Sequence, residues 1–190
     1  MNIIDPTGMF GDLGSMMGTV ALISAVAVIA TGLYMLIKSV SLKLAVAEAG
    51  NMVNSAVLQL QSWGTKDKLR YKTWFGKYTV IRKTSVEDVY LKIAVALSQN
   101  IKFHQTNGNY YAYTYPGGPL EIWLGKDYYS APLVGANSKA GTIIHELSHE
   151  VSNTSDTVYG IVGAKSLAVT APNNAINNAD NYEFFAEGVQ

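Results

Sequence analysis

The chain has 190 residues, which suits one ordinary domain with an additional segment rather than two full domains. Its 14 basic and 14 acidic side chains balance, and no run of Lys or Arg is interleaved with aromatic residues, so we expect no nucleic-acid partner. The sequence contains no cysteine, which excludes disulfides, cysteine-ligated zinc and a cysteine nucleophile.

The first part of the chain is strongly apolar. Residues 14–37 contain no charged residue and are long enough for a helix that spans a membrane. Asp5 and Asp12 precede this stretch, and Lys38 and Lys43 follow it. This bias favours a retained helix whose C-terminal side lies on the positive, cytoplasmic face of a membrane.

The same region lacks the positive charge with which a cleavable secretory signal begins, so we predict no ordinary signal peptide. We expect a hydrophobic, membrane-inserting segment in residues 1–40 and a separate domain in residues 41–190. The alternative is a hydrophobic helix that is buried in a complex, or that a chaperone holds until delivery.

Two further helices are expected before any strand. From Ser41 to about Trp63, apolar residues recur at steps of three and four, the pattern of an amphipathic helix. The segment "GTKDKLRYK" after it reads as a polar connector. Ser85 is a candidate N-cap for a second helix. The apolar face of that helix would comprise Val86, Val89, Tyr90, Ile93 and Leu97.

The segments "IKFHQT", "YYAYTY" and "LEIWLG" are strand candidates, separated by the turn signals "NGN" and "PGG". After them, Ser138 can cap a helix, Pro172 opens a loop, and a last helix is expected from about Asn178. The predicted fold is therefore α+β, mostly helical with a small antiparallel sheet, and preceded by the hydrophobic N-terminal helix. Alternating tyrosines in "YYAYTY" could line a cleft, but we expect them to pack on the helices and assign them no site role.

The helix after Ser138 carries a metal-binding pattern. His145 and His149 are four residues apart, so both imidazoles can bind one ion from the same side of a helix. Glu146 follows the first histidine directly, where it can act on water without binding the metal. This is the arrangement of zinc peptidases. His104 is the third histidine of the chain, and we expect a partly buried structural residue there.

The third protein ligand is open on spacing alone. One class of zinc peptidase uses a histidine six residues after the second one, but Ser155 occupies that position. A thermolysin-like class uses a glutamate on a later helix, and Glu183 or Glu187 could serve. Asp156 follows a polar turn and could fold back onto the ion.

Three segments, "GTIIHELSH", "TSDTVYG" and "NADNYEFFAE", together resemble the aspzincin family of zinc endopeptidases, the deuterolysins and peptidyl-Lys metalloendopeptidases. The resemblance covers roughly the last 120 residues and implies a zincin-like fold with one catalytic zinc ion. It implies Asp156 as the third ligand. Asn153 stands where the family usually has glycine, and asparagine tolerates the left-handed conformation that a helix-ending glycine adopts.

The resemblance implies two further roles. Tyr159 would stabilise the oxyanion that forms when water attacks. Asp180 and Glu183 would form the pocket for a lysine after the scissile bond, because two carboxylates three residues apart on a helix share a face and can flank one ammonium group. The alternative is that Asp180 caps the last helix and Glu183 is an exposed acid in its first turn.

From these features we expect a zinc endopeptidase that acts on proteins or peptides, with Glu146 as base and then acid. A binding module that has kept the zinc fold and lost catalysis is the alternative. A protease embedded in the bilayer is excluded, because the helix that carries the histidines also contains Lys139, Glu146 and Glu150.

The apolar segment raises a question of location. One hypothesis is a bacterial toxin or effector that a specialised secretion machine delivers, with residues 14–37 aiding membrane passage. The partners would then include a secretion chaperone or an inhibitory immunity protein as well as the substrates. The other expectation is a peptidase that the same helix anchors to a membrane.

Overall fold

The structure is a computed structural model that describes the backbone of residues 13–188 and the side chains of residues 27–188. Asp5 and Asp12 of the predicted charge bias lie outside the described residues. The helices are α1 (Leu13–Ser62), α2 (Thr65–Phe75), α3 (Val80–Leu97), α4 (Lys126–Ser130), α5 (Lys139–Ser152), α6 (Gly160–Thr170), α7 (Pro172–Ala175) and α8 (Ala179–Glu187). The strands are β1 (Lys102–Gln105), β2 (Ala112–Tyr113) and β3 (Glu121–Leu124). The chain divides into two compact units, Met1–Val40 and Ser41–Gln190.

Within the first unit, most of the described side chains of α1 are apolar and exposed. Val28 is 71% exposed and Ile29 is 69% exposed, and Leu33 and Ile37 are also exposed. Among the described residues, the helical stretch Ala27–Ser62 is long and apolar enough to cross a membrane by length and composition.

The second unit contains the hydrophobic core. From Ser41 onward, α1 buries a stripe of small and branched residues, which comprises Ala45, Ala49, Val53, Ala56 and Leu60. The spacing of three and four residues follows from the helical repeat, as the sequence pattern predicted. Trp74, Phe75, Tyr90, Tyr182 and Phe185 fill the centre of the core with closely packed rings.

Two predictions for the helices that follow α1 were wrong. The expected polar connector forms most of α2, because Asp67 accepts a hydrogen bond from the Gly64 N–H at 2.8 Å and starts the helix. The residues of this helix that are buried in the core lie near its C-terminal end and are Tyr71, Trp74 and Phe75.

Helix α3 begins earlier than predicted, and Thr79 rather than Ser85 caps it. The Thr79 hydroxyl accepts from the Arg82 N–H at 3.1 Å, whereas the Ser85 hydroxyl donates back to the Ile81 carbonyl inside the helix. The buried face is the predicted one, since Val86, Val89, Tyr90 and Ile93 all lie in the core.

The sheet is small, as predicted, but mixed rather than antiparallel. Its strand order is β1-β3-β2, with β1 parallel and β2 antiparallel to β3. The two connections each reverse the chain, so β3 runs in the same direction as β1. Strand β3 takes the centre because it carries the sheet's buried residues, Ile122 and Leu124.

The helix that carries the two histidines begins and ends as the sequence predicted. The Ser138 hydroxyl accepts from the Gly141 N–H at 2.9 Å, and Asn153 ends α5 with a left-handed φ of 53°. Pro172, expected to open a loop, instead takes the first position of the short helix α7, which its fixed φ allows. Helix α6 was not predicted.

Helix α8 is fixed by a buried polar residue, Asn181. Its amide group donates to the carbonyl of Trp74 and, at 3.0 Å, to that of Ala164. Its side-chain oxygen accepts from the Asn178 amide at 2.8 Å. Asn181 is fully buried, so it satisfies groups at the end of α2 and within α6 that have no access to water.

We expect Asn181→Ala to lower the free energy of unfolding by about 3 kcal/mol, because it leaves buried carbonyl groups without a donor. Urea unfolding of the full chain measures this as a lower midpoint at an unchanged slope. Asn177→Ala, at an exposed position that bonds only to Ser155 through its side chain, is the control and should change stability by about 0.5 kcal/mol or less. Equal effects of the two substitutions would contradict this role of Asn181.

Candidate metal centre and substrate cleft

Helix α5 presents its chemistry on a buried face. His145 and Glu146 are buried, and His149 is largely buried one turn later. The ring centroids of the two histidines are 4.9 Å apart, as residues four apart on a helix should be. The three residues of the predicted pattern therefore face one cleft.

The carboxylate of Asp156 lies against both histidines. Its Oδ1 atom is 3.1 Å from His145 Nε2 and 3.3 Å from His149 Nε2. Ligand atoms about 3.3 Å apart are what tetrahedral coordination with bonds of about 2.0 Å requires. Two imidazole nitrogens and one carboxylate oxygen form the donor set of many catalytic zinc sites, so these residues fit a zinc ion.

The turn after α5 brings Asp156 to this position. Asn153 reverses the chain in the left-handed conformation, and Thr154 follows it. The Ser155 N–H donates to the Asn177 carbonyl at 2.7 Å, and the Ala179 N–H donates to the Ser155 carbonyl at 3.1 Å. Both bonds involve Ser155, the residue directly before Asp156, and they attach the turn to the segment that begins α8.

The second ring nitrogen of His149 fixes its tautomer. His149 Nδ1 lies 2.7 Å from the Thr154 carbonyl oxygen, which can only accept, so Nδ1 carries the proton. In the neutral ring the lone pair is therefore on Nε2, on the side of Asp156, where it is available to a metal. The Thr154 hydroxyl also lies 2.7 Å from the Ser148 hydroxyl, which ties this turn to α5.

His145 is oriented by the two carboxylates that the sequence assigned to the substrate pocket. His145 Nδ1 lies 2.9 Å from Asp180 Oδ1 and 3.2 Å from Glu183 Oε2. Both carboxylates are buried, so neither is the exposed first-turn acid of the alternative interpretation. Sequence reasoning missed this contact with His145, because no local spacing connects α5 with α8.

The electrostatics of the cluster follow from burial and pairing. Burial alone lowers the pKa of His145, but hydrogen bonds to Asp156, Asp180 and Glu183 outweigh it and raise the pKa well above its ordinary value. Burial lowers the pKa of His149, but its interactions with Asp156 and the Thr154 carbonyl together outweigh burial, and the pKa is raised. Burial raises the pKa of Asp156, but the two histidines more than offset this and hold it well below its usual range.

Burial raises the pKa of Glu146 to about 7, and the two nearby histidines offset this only in part. Burial also raises the pKa of Glu183, and the nearby Asp180 and Asp156 add to the shift. Glu146 thus titrates near neutral pH inside the cleft.

Tyr159 stands at the mouth of the cleft and is 69% exposed. Partial burial raises the pKa of its hydroxyl, and a hydrogen bond with Asp156 raises it further, so the hydroxyl remains a neutral donor. The next residue anchors it, since the Gly160 N–H donates to Asp180 Oδ2 at 2.5 Å. Asp180 therefore holds His145 with one oxygen and the backbone beside Tyr159 with the other.

A cavity of about 630 Å³ joins all these residues. Beyond the predicted ones, its wall includes Tyr110, Tyr111, Tyr113, Asn137 and Thr142. The prediction that the tyrosines of "YYAYTY" pack on helices was wrong for Tyr113, whose ring stacks on Trp123 at 5.4 Å while also lining the cavity. Strand β2 lies at the edge of the sheet, which is why its side chains reach the cleft.

The other histidine and the two glutamates that sequence analysis considered are not placed to bind the metal with His145 and His149. His104 is partly buried, stacks on Trp123 and lies 2.7 Å from Glu121, so it is structural, as predicted. Glu187 bonds to Ser138 at the start of α5 and does not line the cavity. Glu183 reaches Nδ1 of His145 rather than Nε2, so the cluster that contains Glu183 leaves out His149.

Comparison with known proteins gives one family. The sequence model of the aspzincin family, described as lysine-specific metallo-endopeptidase, matches residues 60–187. An extracellular protease of Aeromonas hydrophila is 43% identical over 122 residues, which are 62% of this chain and 35% of that protein. A peptidyl-Lys metalloendopeptidase of Armillaria mellea is 39% identical over 127 residues, 65% of this chain and 36% of that protein. The chain thus spans about a third of these two relatives.

Other relatives match over most of their length. A peptidyl-Lys metalloendopeptidase of Pleurotus ostreatus is 35% identical over 154 residues, 79% of this chain and 91% of that protein. The solved structure of a zinc peptidase from Grifola frondosa superposes with a TM-score of 0.73 at 34% identity, over 80% of this chain and 94% of that one. This match confirms the zincin-like, mostly helical fold with a small sheet. The chain belongs to the aspzincin family of lysine-specific metallo-endopeptidases, as its three sequence segments predicted.

Proposed function

We propose that this protein is a zinc endopeptidase that cuts proteins or peptides before lysine. The observation that carries the proposal is the approach of Asp156 Oδ1 to the Nε2 atoms of both histidines, with Glu146 on the same face of α5. Family membership and the peptidyl-Lys names of the relatives support it.

His145, His149 and Asp156 would hold the zinc ion. When bound, zinc supplies a Lewis acid that acidifies water and polarises a carbonyl group. Asp180 and the Thr154 carbonyl keep the proton of each imidazole on Nδ1, so that Nε2 stays free for the metal. These contacts orient both rings before the metal arrives.

Glu146 would take the proton of the attacking water on its carboxylate and later pass it to the departing amine. A pKa of about 7 suits a group that must accept and then release a proton near neutral pH. Tyr159 would donate its hydroxyl hydrogen to the oxyanion of the attacked carbonyl. Its exposure at the cleft mouth leaves that hydroxyl accessible to substrate.

Asp180 and Glu183 would receive the lysine side chain. Both line the cavity, and the Asp180 and Glu183 oxygens nearest to His145 Nδ1 lie within 4.8 Å of each other, close enough to flank one ammonium group. Burial raises the pKa of Glu183 and the neighbouring Asp180 adds to the shift, so an incoming cation relieves a repulsion between the two acids as well as forming new bonds. Lysine would therefore be preferred over a neutral residue.

The described part of residues 14–37 supports a membrane role, because its side chains from Ala27 onward are apolar and exposed. We propose that this segment inserts into a membrane. A peptidase that the helix anchors in the cell that makes it would lie on the cytoplasmic side, as the charge bias favours. A peptidase that is secreted, or delivered as a toxin or effector with a chaperone or inhibitor as partner, would act outside that cell. The extracellular relative in Aeromonas hydrophila supports the location.

Zinc binding should release protons at pH 7, because the pKa of His145 is raised well above its ordinary value and the metal must displace the proton that this ring then carries on Nε2. The apparent zinc affinity should rise about tenfold per pH unit for each displaced proton. Calorimetric titration of the zinc-free protein in buffers of different ionisation enthalpy measures the number released. A binding heat that is the same in every buffer would refute this.

Two variants test the ligand set in the same titration. Asp156→Asn should weaken zinc binding at least about tenfold, since a neutral amide replaces an anionic ligand. Glu150→Gln is the control. It alters a carboxylate on α5, the helix that carries both histidines, but this carboxylate contacts Thr114 and not a histidine. Zinc binding by this variant should be unchanged.

Incubation of the zinc-loaded protein with an unfolded protein mixture should create new N-termini that begin with lysine. Mass spectrometry of the termini measures them, and Glu146→Gln should lower their number about a thousandfold, because the water then lacks its base. Cleavage without a preference for lysine would contradict the proposed role of Asp180 and Glu183 in binding lysine, but it would still support the peptidase activity. A folded, zinc-loaded protein that cleaves nothing would favour the non-catalytic binding module.

If residues 14–37 insert into a membrane, the full chain should bind liposomes and float with them in a density gradient. Replacing both Ile29 and Leu33 by lysine should abolish this flotation, since each charge at the centre of a span costs about 3 kcal/mol. Val162→Lys changes an apolar residue of α6 with 83% exposure and should float like the parent protein. A parent protein that stays at the bottom would exclude the membrane role.

A further inference from the structure

Glu187 contacts the segment that begins the metal-binding helix. Its Oε1 atom accepts from the Ser138 N–H and from the Ser138 hydroxyl, both at 2.8 Å, and its Oε2 atom accepts from the Asn137 N–H at 3.2 Å. The Ser138 hydroxyl in turn accepts from the Gly141 N–H at 2.9 Å. Four groups at the start of α5 are thus connected to one carboxylate of α8.

The backbone is shaped to receive this carboxylate. A Cβ atom on Gly141 would lie 2.1 Å from Glu187 Oε1, so the carboxylate occupies the space that any larger residue would fill. Asn137 has a left-handed φ of 51°, which costs energy in a residue other than glycine. Its bond to Glu187 compensates for part of that cost.

Asn137 connects this contact with the cleft. It lines the same cavity as Thr142, Asp180 and Glu183, and Glu187 itself does not. Glu183 reaches the same region, since its Cγ atom would lie 3.0 Å from a Cβ atom on Gly141. The carboxylate of Glu187 therefore holds a residue in the wall of the cavity that the two proposed lysine-binding acids also line.

We propose that Glu187 is a positioning residue for substrate specificity, which fixes Asn137 and the first turn of α5 and so holds the lysine pocket in its binding shape. This inference rests on the proposed function, because it needs a pocket that prefers lysine. Glu187 would act without touching the substrate, and its loss would weaken recognition of lysine more than the chemical step. A role in stability alone would lower the melting temperature and leave recognition unchanged.

Glu187→Gln tests the role with little change in volume. One amide oxygen cannot replace both carboxylate oxygens, and the amide N–H₂ would face either the Asn137 N–H or the Ser138 N–H, each of which is a donor. Measurements at pH 8 keep the carboxylate of the parent protein ionised, above the pKa of about 7 to which burial raises it. Glu187→Asp keeps the charge but is too short to reach all three donors, and it serves if the first variant does not fold.

Two readouts separate positioning from stability. In the zinc-loaded Glu146→Gln background, which prevents cleavage, calorimetry compares a tripeptide that begins with lysine with one that begins with alanine. We expect Glu187→Gln to weaken binding of the lysine tripeptide about tenfold and to leave the alanine tripeptide unchanged. Hydrogen exchange at the amides of Asn137 and Ser138 should also accelerate about tenfold. In the active protein, KM for lysine substrates should rise while kcat stays within about twofold.

Glu87→Gln is the matched control. Glu87 is also a half-buried helical glutamate with hydrogen-bonded partners, Lys83 and Gln61, but it lies on α3 away from the cleft. It should change neither tripeptide affinity nor exchange at residues 137–138. Unchanged lysine affinity in Glu187→Gln, or an equal loss for both tripeptides, would overturn the proposal.

The same measurements separate failure of this inference from failure of the proposed activity. If the parent protein binds both tripeptides equally, it has no lysine pocket. That result would overturn the role of Glu187 even if the protein cleaves peptide bonds that do not precede lysine. A parent protein that prefers the lysine tripeptide but cleaves nothing contradicts the peptidase and leaves the role of Glu187 supported, provided that the variant loses the preference.

Discussion

Three carboxylates on one face of α8 must be buried against α5, and the geometry of the site depends on how each is satisfied. Asp180, Glu183 and Glu187 are spaced by three and four residues, so they form one row along the helix. A buried charge without partners is costly. Asp180 and Glu183 meet this demand at His145, and Glu187 meets it at the start of α5. The register between the two helices is therefore set by polar partners as well as by apolar packing, and that register places His145.

The start of α8 also determines where Asp156 lies. The residues on both sides of it are anchored there: Ser155 pairs with Asn178 as an isolated bridge, the Val158 N–H donates to the Asn178 side chain at 3.0 Å, and the Gly160 N–H donates to Asp180. Asn181 connects the same helix to the core on its other side. One short helix thus orients the first histidine, is tied to the turn that holds Asp156, and presents Asp180 and Glu183 to the cleft. This explains how a cleft with a half-exposed carboxylate can be ordered without a disulfide in the chain.

The sequence predicted the parts of the site whose geometry is local. Two histidines four residues apart share a helix face in any α-helix, Ser138 has the spacing of an N-cap, and Asn153 has the chemistry of a helix end. The parts that failed depend on partners in the folded chain. Thr79 replaced Ser85 as a cap because its hydroxyl accepts from the Arg82 N–H, whereas the Ser85 hydroxyl bonds to a carbonyl inside the helix. The sheet became mixed because β3, which carries the buried residues, lies between β1 and β2. The contact of Asp180 with His145 crosses from α8 to α5, and no pattern within either helix encodes it.

That contact has a consequence for the proposed chemistry, because the same acids that would bind lysine also orient a metal ligand. Asp180 Oδ1 lies 2.9 Å from His145 Nδ1, and Glu183 shares that nitrogen at 3.2 Å. An ammonium group between the carboxylates would draw negative charge toward itself and away from the imidazole, and His145 would then be a weaker donor to a zinc ion held there. Weaker donation from His145 would leave zinc to supply stronger Lewis-acid chemistry. Recognition of lysine and activation of the scissile bond would then be coupled through a single side chain, so that a substrate with lysine in place gains in the chemical step as well as in binding.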